Sequence, residues 1–120
     1  MLHSEITGKI LECSFEVSKE LGSGFLESVY EKALLVALSQ KGIQARPQVK
    51  LNVRFRGVLV GTFFADLIVE EEVLIELKAV SRILNEHKAQ VINYLKATGI
   101  KTALLINFGN ARVEYYRLYA

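Results

Sequence analysis

The stretch from Phe63 to Lys78 constrains the fold most, because two apolar runs flank three consecutive glutamates. The first run ends at Val69 and the second begins at Val73, so Glu70–Glu72 is typical of a short hairpin loop. The pattern predicts two antiparallel strands in which Val69 lies opposite Val73.

Charged side chains interrupt both of these predicted strands. Counting back from the loop places Asp66, the only aspartate in the chain, opposite Glu76, with Cβ atoms roughly 4.5–5.5 Å apart. The two-residue period of a strand puts Lys78 on the same face as Glu76. Two carboxylates in an apolar setting repel each other and lose hydration, so we expect a cation close to both.

Two interpretations of this cluster are open from the residues alone. A divalent metal could lie between Asp66 and Glu76, or Lys78 could form a buried ion pair with one of them. One lysine neutralises one carboxylate and leaves the other uncompensated. Both interpretations depend on the loop length, because a register error of one residue would move the carboxylates to opposite faces.

Length and composition predict a single domain over residues 1–120 in a soluble globular protein. The formal net charge of +2 permits contact with a polyanion without requiring it. Cys13 is the only cysteine, which excludes an intrachain disulfide and fits a reducing, cytoplasmic setting. Charged residues near the N-terminus argue against a signal peptide or a membrane span, so we expect no membrane partner.

Helical periodicity predicts a first helix that ends at about Leu21 and buries Cys13. A second helix is predicted from about Phe25 to Gln40, with Glu27 in its first turn. Glu27 could simply complement the helix dipole. Alternatively, Glu27 could have a functional role, which its position on the same side of the helix as Tyr30 suggests.

The rest of the chain predicts four further strands or helices around the hairpin. Alternation predicts a strand over residues 49–55 with a basic face, preceded by a connection over residues 43–48 that contains the only proline. A third helix is predicted from about Leu84 to Thr98, then strands at Thr102–Asn107 and Val113–Tyr119. The third helix would cross between two parallel strands, which predicts a mixed sheet in an α/β or α+β fold.

Several stretches of the sequence resemble one known family. The segment from Gly24 to Tyr30 contains the G-x-x-E-x-x-Y pattern that names the GxxExxY family of small proteins. Asp66, followed by Glu76-Leu77-Lys78, resembles the D…E-x-K motif of the PD-(D/E)XK nuclease superfamily, to which that family is assigned. Residues 87–99 and 104–109 also resemble later blocks of the family.

The resemblance implies a restriction-endonuclease-like αβββαβ core. In that core the sheet is mixed and flanked by helices, and the second predicted helix is the core helix. The first helix and the last strand would be additions. Ala65 stands where the superfamily name has proline, a position at which proline is often absent.

A metal site follows from the resemblance. Asp66, Glu76 and the main-chain carbonyl of Leu77 would bind Mg²⁺ or Mn²⁺. Glu27 would be a further ligand, either direct or through water. Such a metal has oxygen ligands, keeps several waters, and can both activate a water and stabilise developing charge.

Other residues would act around the metal. Lys78 would position or help deprotonate the attacking water, and Gln90 would orient Lys78, a water or the phosphate. Tyr30, His87 and Tyr94 are predicted to lie in a second layer. His87, Gln90 and Tyr94 form a polar stripe on the third helix that suits a cleft.

The sequence therefore predicts a divalent-metal-dependent nuclease that hydrolyses phosphodiester bonds, with DNA as substrate in preference to RNA. The alternative is a non-catalytic nucleic-acid-binding or regulatory module that retains the nuclease fold. So small a domain predicts weak sequence specificity or help from a partner, of which a homodimer is one form. The candidate phosphate-contacting residues are Arg54, Arg56, Arg82 and Lys88.

Overall fold

The computed structural model describes residues 4–120 and begins with two helices, α1 (Ser4–Leu21) and α2 (Glu27–Gln40). The middle of the predicted apolar face of α1 is buried, with Ile10, Cys13 and Val17, whereas Leu21 at the end of the helix is exposed. Helix α1 ends before Gly22, whose φ of +73° is a left-handed conformation that glycine adopts without strain.

Five strands and a third helix follow. The strands form one sheet in the order β1-β2-β3-β4-β5, and only β3 and β4 are parallel. The predicted mixed sheet and the crossover through the third helix are confirmed. The elements are β1 (Ala45–Phe55), β2 (Val58–Val69), β3 (Val73–Lys78), α3 (Asn85–Thr98), β4 (Thr102–Asn107) and β5 (Glu114–Tyr119).

The sheet has an apolar cluster on each face. Helices α1 and α2 pack on one face, against residues such as Leu67, Ile75 and Ile106. Helix α3 packs on the other face through Val91 and Leu95. The result is a helix–sheet–helix sandwich.

Strand β1 begins earlier than the alternation predicts. The predicted connection over residues 43–48 is wrong for residues 45–48, because β1 begins at Ala45, which pairs with Val69. Proline at position 47 is compatible with a strand here, since β1 lies at the edge of the sheet and proline cannot donate to a second neighbour.

The β1–β2 hairpin extends well beyond the rest of the sheet. Strands β1 and β2 have 11 and 12 residues, whereas β3, β4 and β5 have 6 each. The turn consists of Arg56 and Gly57, which both have positive φ as a two-residue hairpin turn requires. Phe55 and Val58 beside it are 59% and 63% exposed. No helix among residues 4–120 is both long enough and apolar enough to cross a membrane.

Candidate active site

The strands β2 and β3 separate at Asp66. The predicted register is confirmed by three pairs, Val69 with Val73, Ile68 with Leu74, and Leu67 with Ile75. At the next position, Asp66 and Glu76, hydrogen bonds between side chains and main chain take the place of the main-chain pairing.

Two crossed hydrogen bonds hold the carboxylates where the strands separate. The amide N–H of Asp66 donates to Oε1 of Glu76 at 3.1 Å, and the amide N–H of Leu77 donates to Oδ2 of Asp66 at 2.8 Å. Each carboxylate is therefore fixed by the backbone of the other strand, and the two acids are brought together as predicted.

Glu76 lies in an environment that disfavours its charge. Its residue surface is only 7% exposed. Burial, and then the charge of Asp66, raise the pKa of Glu76 to about 8, although Lys78 acts in the opposite direction. The pair is thus poised either to hold a proton or to accept a cation.

The buried ion pair that the sequence left open is not formed. Among the salt bridges of the described residues, none joins Lys78 to Asp66 or Glu76. Lys78 is half-buried at the end of β3, beside Asn107 of β4. Its ammonium lowers the pKa of Glu76 from a distance rather than by direct contact.

A divalent cation fits the donor set formed by Asp66, Glu76 and the main chain of Leu77. Within residues 4–120 no three carboxylate, imidazole or thiolate side chains are close enough to share a metal. The role of Glu27 as a further ligand, direct or through water, stays a prediction. The carboxylates of Asp66 and Glu76 and the carbonyl of Leu77 are all oxygen donors that would leave positions for water, as Mg²⁺ prefers.

A small cleft of roughly 210 Å³ lies between the start of α2 and the sheet. Its lining includes Glu27 and Asp66, so these two carboxylates border the same cleft. The cleft also contains Ser28, Glu31 and Gln48, none of which the sequence identified. Glu31 follows Glu27 by one helical turn, a spacing that could have indicated it.

Gln48 connects α2 to the carboxylate pair. Its Nε2 donates to Oε1 of Glu31 and, at 3.3 Å, to Oδ1 of Asp66. The sequence does not reveal Gln48, because it predicts a connection up to residue 48 and therefore no strand position opposite Asp66.

Helix α3 contributes Tyr94 from the other layer. The ring of Tyr94 stacks on Phe63, with centroids 3.9 Å apart. Burial, and then the charges of Glu76 and Asp66, raise the pKa of its phenol. Tyr94 therefore lies within electrostatic reach of both carboxylates.

The other two predicted site residues of α3, Gln90 and His87, make no hydrogen bond to either carboxylate among the described residues. Gln90 is exposed, and no hydrogen bond joins its side chain to another described residue. His87 Nδ1 accepts a hydrogen bond from the amide N–H of Leu84 at 2.9 Å, which caps the start of α3. The structure thus gives His87 a capping role.

Tyr30 holds the loop between the first two helices. Its buried hydroxyl donates to the carbonyl of Gly22 at 2.6 Å and accepts from the amide N–H of Phe25 at 3.2 Å. The ring stacks on Phe108 with centroids 4.7 Å apart. These contacts position the segment that precedes Glu27.

The candidate phosphate-contacting residues lie in two regions. Arg54 and Arg56 are exposed near the end of the β1–β2 hairpin, and Arg82 is exposed between β3 and α3. Lys88 is half-buried with its ammonium 3.8 Å from the ring centroid of Tyr116, so this cation already has an aromatic partner.

The fold and the site together define a restriction-endonuclease-like domain with paired carboxylates where two central strands separate. A family model described as the PD-(D/E)XK nuclease superfamily matches residues 4–118. The chain belongs to this superfamily.

Comparison with solved structures gives a match entitled "Crystal structure of SSO0001", with a TM-score of 0.58 and 19% sequence identity. The match covers 78% of this chain and 50% of that one, so the chain spans half the length of that relative. At this identity the match supports the fold alone. None of the curated proteins matches the chain.

Proposed function

We propose that this protein is a divalent-metal-dependent nuclease that hydrolyses phosphodiester bonds in nucleic acid. The observation that carries the proposal is the pairing of the half-buried Asp66 with the buried Glu76, which crossed hydrogen bonds hold together and which has no ion pair with Lys78. Such a pair is unfavourable without a cation. Within the superfamily, the segment from Gly24 to Tyr30 supports assignment to the GxxExxY family.

The chain's own residues have distinct roles in this proposal. Asp66, Glu76 and the carbonyl of Leu77 would hold Mg²⁺ or Mn²⁺, which supplies water activation and charge stabilisation when bound. Lys78 would position the attacking water and steady the phosphate, since its side chain follows Glu76 on the same strand face. Gln90 would orient the phosphate or a water from the exposed side of α3.

Glu27 and the second-layer residues complete the proposal. Glu27 would act through water from the start of α2, in the cleft that it shares with Asp66. Tyr94 would limit water access beside the carboxylates. Tyr30 and His87 would act indirectly, by fixing the ends of α2 and α3.

The proposed substrate is DNA in preference to RNA. Arg54, Arg56, Arg82 and Lys88 would contact its phosphates, and a second copy of the chain could extend the contact surface. We also propose a cytoplasmic location, which suits the single buried thiol of Cys13.

The direct test is a cleavage assay on DNA and RNA, single- and double-stranded, in Mg²⁺, Mn²⁺ or EDTA. We expect wild-type cleavage in metal only, and a loss of at least about 100-fold in Glu76→Ala and Lys78→Ala. Equal activity in all three proteins would contradict the proposal. Salt-sensitive binding without cleavage in either metal would select the non-catalytic alternative.

A further inference from the structure

Strand β1 is irregular between Val53 and Arg54, near the hairpin turn, and also at Gln48, which faces the site. Pro47 pairs with Leu67 and Val49 pairs with Ala65, but Gln48 and Asp66 between them are not paired. The φ angle of Gln48 is +48°, in the left-handed region that residues other than glycine seldom adopt.

The side chains of β2 show the same irregularity. Ala65 and Ile68 both pack in the cluster on the α3 side of the sheet. Leu67, between them, packs in the cluster on the α1–α2 side. Strict alternation would put residues 65 and 68 on opposite faces. The pleat is therefore interrupted at Asp66, directly across from Gln48.

Gln48, with its left-handed backbone, directs its side-chain amide toward two carboxylates. The two Nε2 hydrogens of a glutamine can serve two acceptors, and here the acceptors are Asp66 Oδ1 and Glu31 Oε1. Both acceptors are carboxylates, so the NH₂ group and not the amide oxygen faces them.

We propose that Gln48 is a positioning residue for Asp66, an inference that rests on the nuclease function proposed above. The amide of Leu77 holds Oδ2 of Asp66 and the side chain of Gln48 holds Oδ1, so both oxygens are oriented. Glu31, from α2, holds Gln48 from the other side. The metal-facing lone pairs of Asp66 are thereby fixed before a cation binds.

The unfavourable backbone conformation of Gln48 allows a variant that distinguishes the positioning role from a purely structural one. Glycine adopts a φ of +48° without steric cost, so Gln48→Gly relieves the backbone while it removes the amide. If Gln48 served only the fold, this variant would keep the Mn²⁺ affinity of the wild type. Gln48→Met keeps the side-chain length and removes the amide group, both its donors and its carbonyl oxygen.

The experiment measures Mn²⁺ affinity by isothermal titration calorimetry, together with thermal stability in EDTA and DNA cleavage in Mn²⁺. We expect Gln48→Gly to melt at or above the wild-type temperature in EDTA. We expect both variants to bind Mn²⁺ at least about tenfold more weakly and to cleave at least about tenfold more slowly, the range typical of groups that orient metal ligands.

Glu70→Gly is the matched control, because Glu70 has a φ of +52° in the exposed β2–β3 loop. We expect it to retain wild-type Mn²⁺ affinity. If Gln48→Gly and Gln48→Met bind Mn²⁺ like the wild type, the positioning role is wrong. A wild-type protein that binds Mn²⁺ without cleaving would contradict the nuclease function alone, since the affinities would still decide the role of Gln48.

Discussion

At the scale of single residues, Glu76 combines burial with a like charge, and neither is relieved by a direct cation contact. The crossed hydrogen bonds with Asp66 and Leu77 keep the carboxylates in place in spite of their repulsion. This arrangement lowers the stability of the fold. A cation bound between the carboxylates would raise it again, so metal binding and folding stability are linked.

The pH dependence of stability provides a test of this linkage. The pKa of Glu76 is raised from 4.5 to about 8 in the folded protein, so between these pH values the folded state binds more protons than the unfolded state. The contribution of Glu76 to stability is therefore complete below about pH 4.5 and is lost as the pH rises to about 8.

We expect Glu76→Gln to be more stable than the wild type in EDTA, by a few kcal/mol at about pH 9 and by much less at about pH 5. Urea denaturation at both pH values measures the difference. Glu20→Gln, at an exposed carboxylate on α1, is the control and should show no such pH-dependent gain. A gain for Glu76→Gln that is the same at both pH values would contradict the prediction.

Metal binding gives a second prediction for the same pair. We expect Mn²⁺ to raise the melting temperature of the wild type by several degrees at millimolar concentration, because the cation binds the folded state only. Asp66→Asn removes one ligand charge and should abolish the increase. An equal increase in both proteins would place the metal elsewhere.

The residues differ in how far the sequence could predict them. Asp66 and Glu76 were recognisable because charges are conspicuous in apolar strands and the loop length set their register. Gln48 was not, since a left-handed residue after a proline leaves no periodic signal. Tyr30 matched a motif, but the motif did not reveal that its hydroxyl holds the loop at Gly22 and Phe25.

At the scale of elements, the order of helices and strands followed from periodicity, whereas their ends depended on tertiary contacts. Strand β1 extends back to Ala45 because β2 offers it partners as far as Val69. Helix α2 begins at Glu27 rather than at Phe25, because the preceding loop is held by Tyr30. The pairing of Ala45 with Val69 joins distant parts of the chain, whereas the contacts of Tyr30 are local, and neither leaves a signal in hydrophobic periodicity.

The segment after β3 is held by a buried asparagine at the end of β4. Oδ1 of Asn107 accepts from the amides of Val80 and Gly109 at 3.0 and 2.9 Å, and its Nδ2 donates to the carbonyl of Val80 at 2.9 Å. Because Asn107 pairs with Lys78, the same contacts fix the end of the strand that carries the lysine.

Gly109 is where this packing is tightest, and it gives a prediction about stability. A Cβ atom at Gly109 would lie 1.9 Å from the carbonyl oxygen of Val80, a backbone atom. We expect Gly109→Ala to lower the free energy of unfolding by at least about 2 kcal/mol, measured by urea denaturation.

Gly8→Ala is the matched control for Gly109→Ala. Gly8 lies within α1, and no atom would lie within 4 Å of its added Cβ. We expect this variant to be more stable by about 0.5–1 kcal/mol, because alanine favours helix. If both variants changed stability equally, close packing against Val80 would not be the cause.

At the scale of the whole molecule, charge is divided between the two ends of β2. The loop at its C-terminal end has three consecutive glutamates. Residues 50–64 at the other end have three cations and no acid. The molecule is elongated, with extents of 46 × 30 × 25 Å, and the hairpin projects past the sheet near the site. This basic end is where we expect a polyanion to lie.

The salt dependence of binding tests that expectation. We expect Arg54→Ser combined with Arg56→Asn to weaken DNA binding and to reduce the slope of log K against log salt by about 2, since each lost phosphate contact contributes about 1. Asparagine suits position 56 because it tolerates the positive φ found there. Fluorescence anisotropy with a labelled duplex, in Ca²⁺ to prevent cleavage, measures the slope.

The control for the hairpin removes the same charge from elsewhere, with Lys19→Ser and Lys101→Ser, both exposed on the described surface. Long-range attraction depends on net charge, which falls equally in the two double variants, so it would change the slope equally. Direct phosphate contact depends on position and would change it in the hairpin variant alone. An equal reduction in both would therefore assign the binding to net charge and leave the projecting hairpin without a role in it.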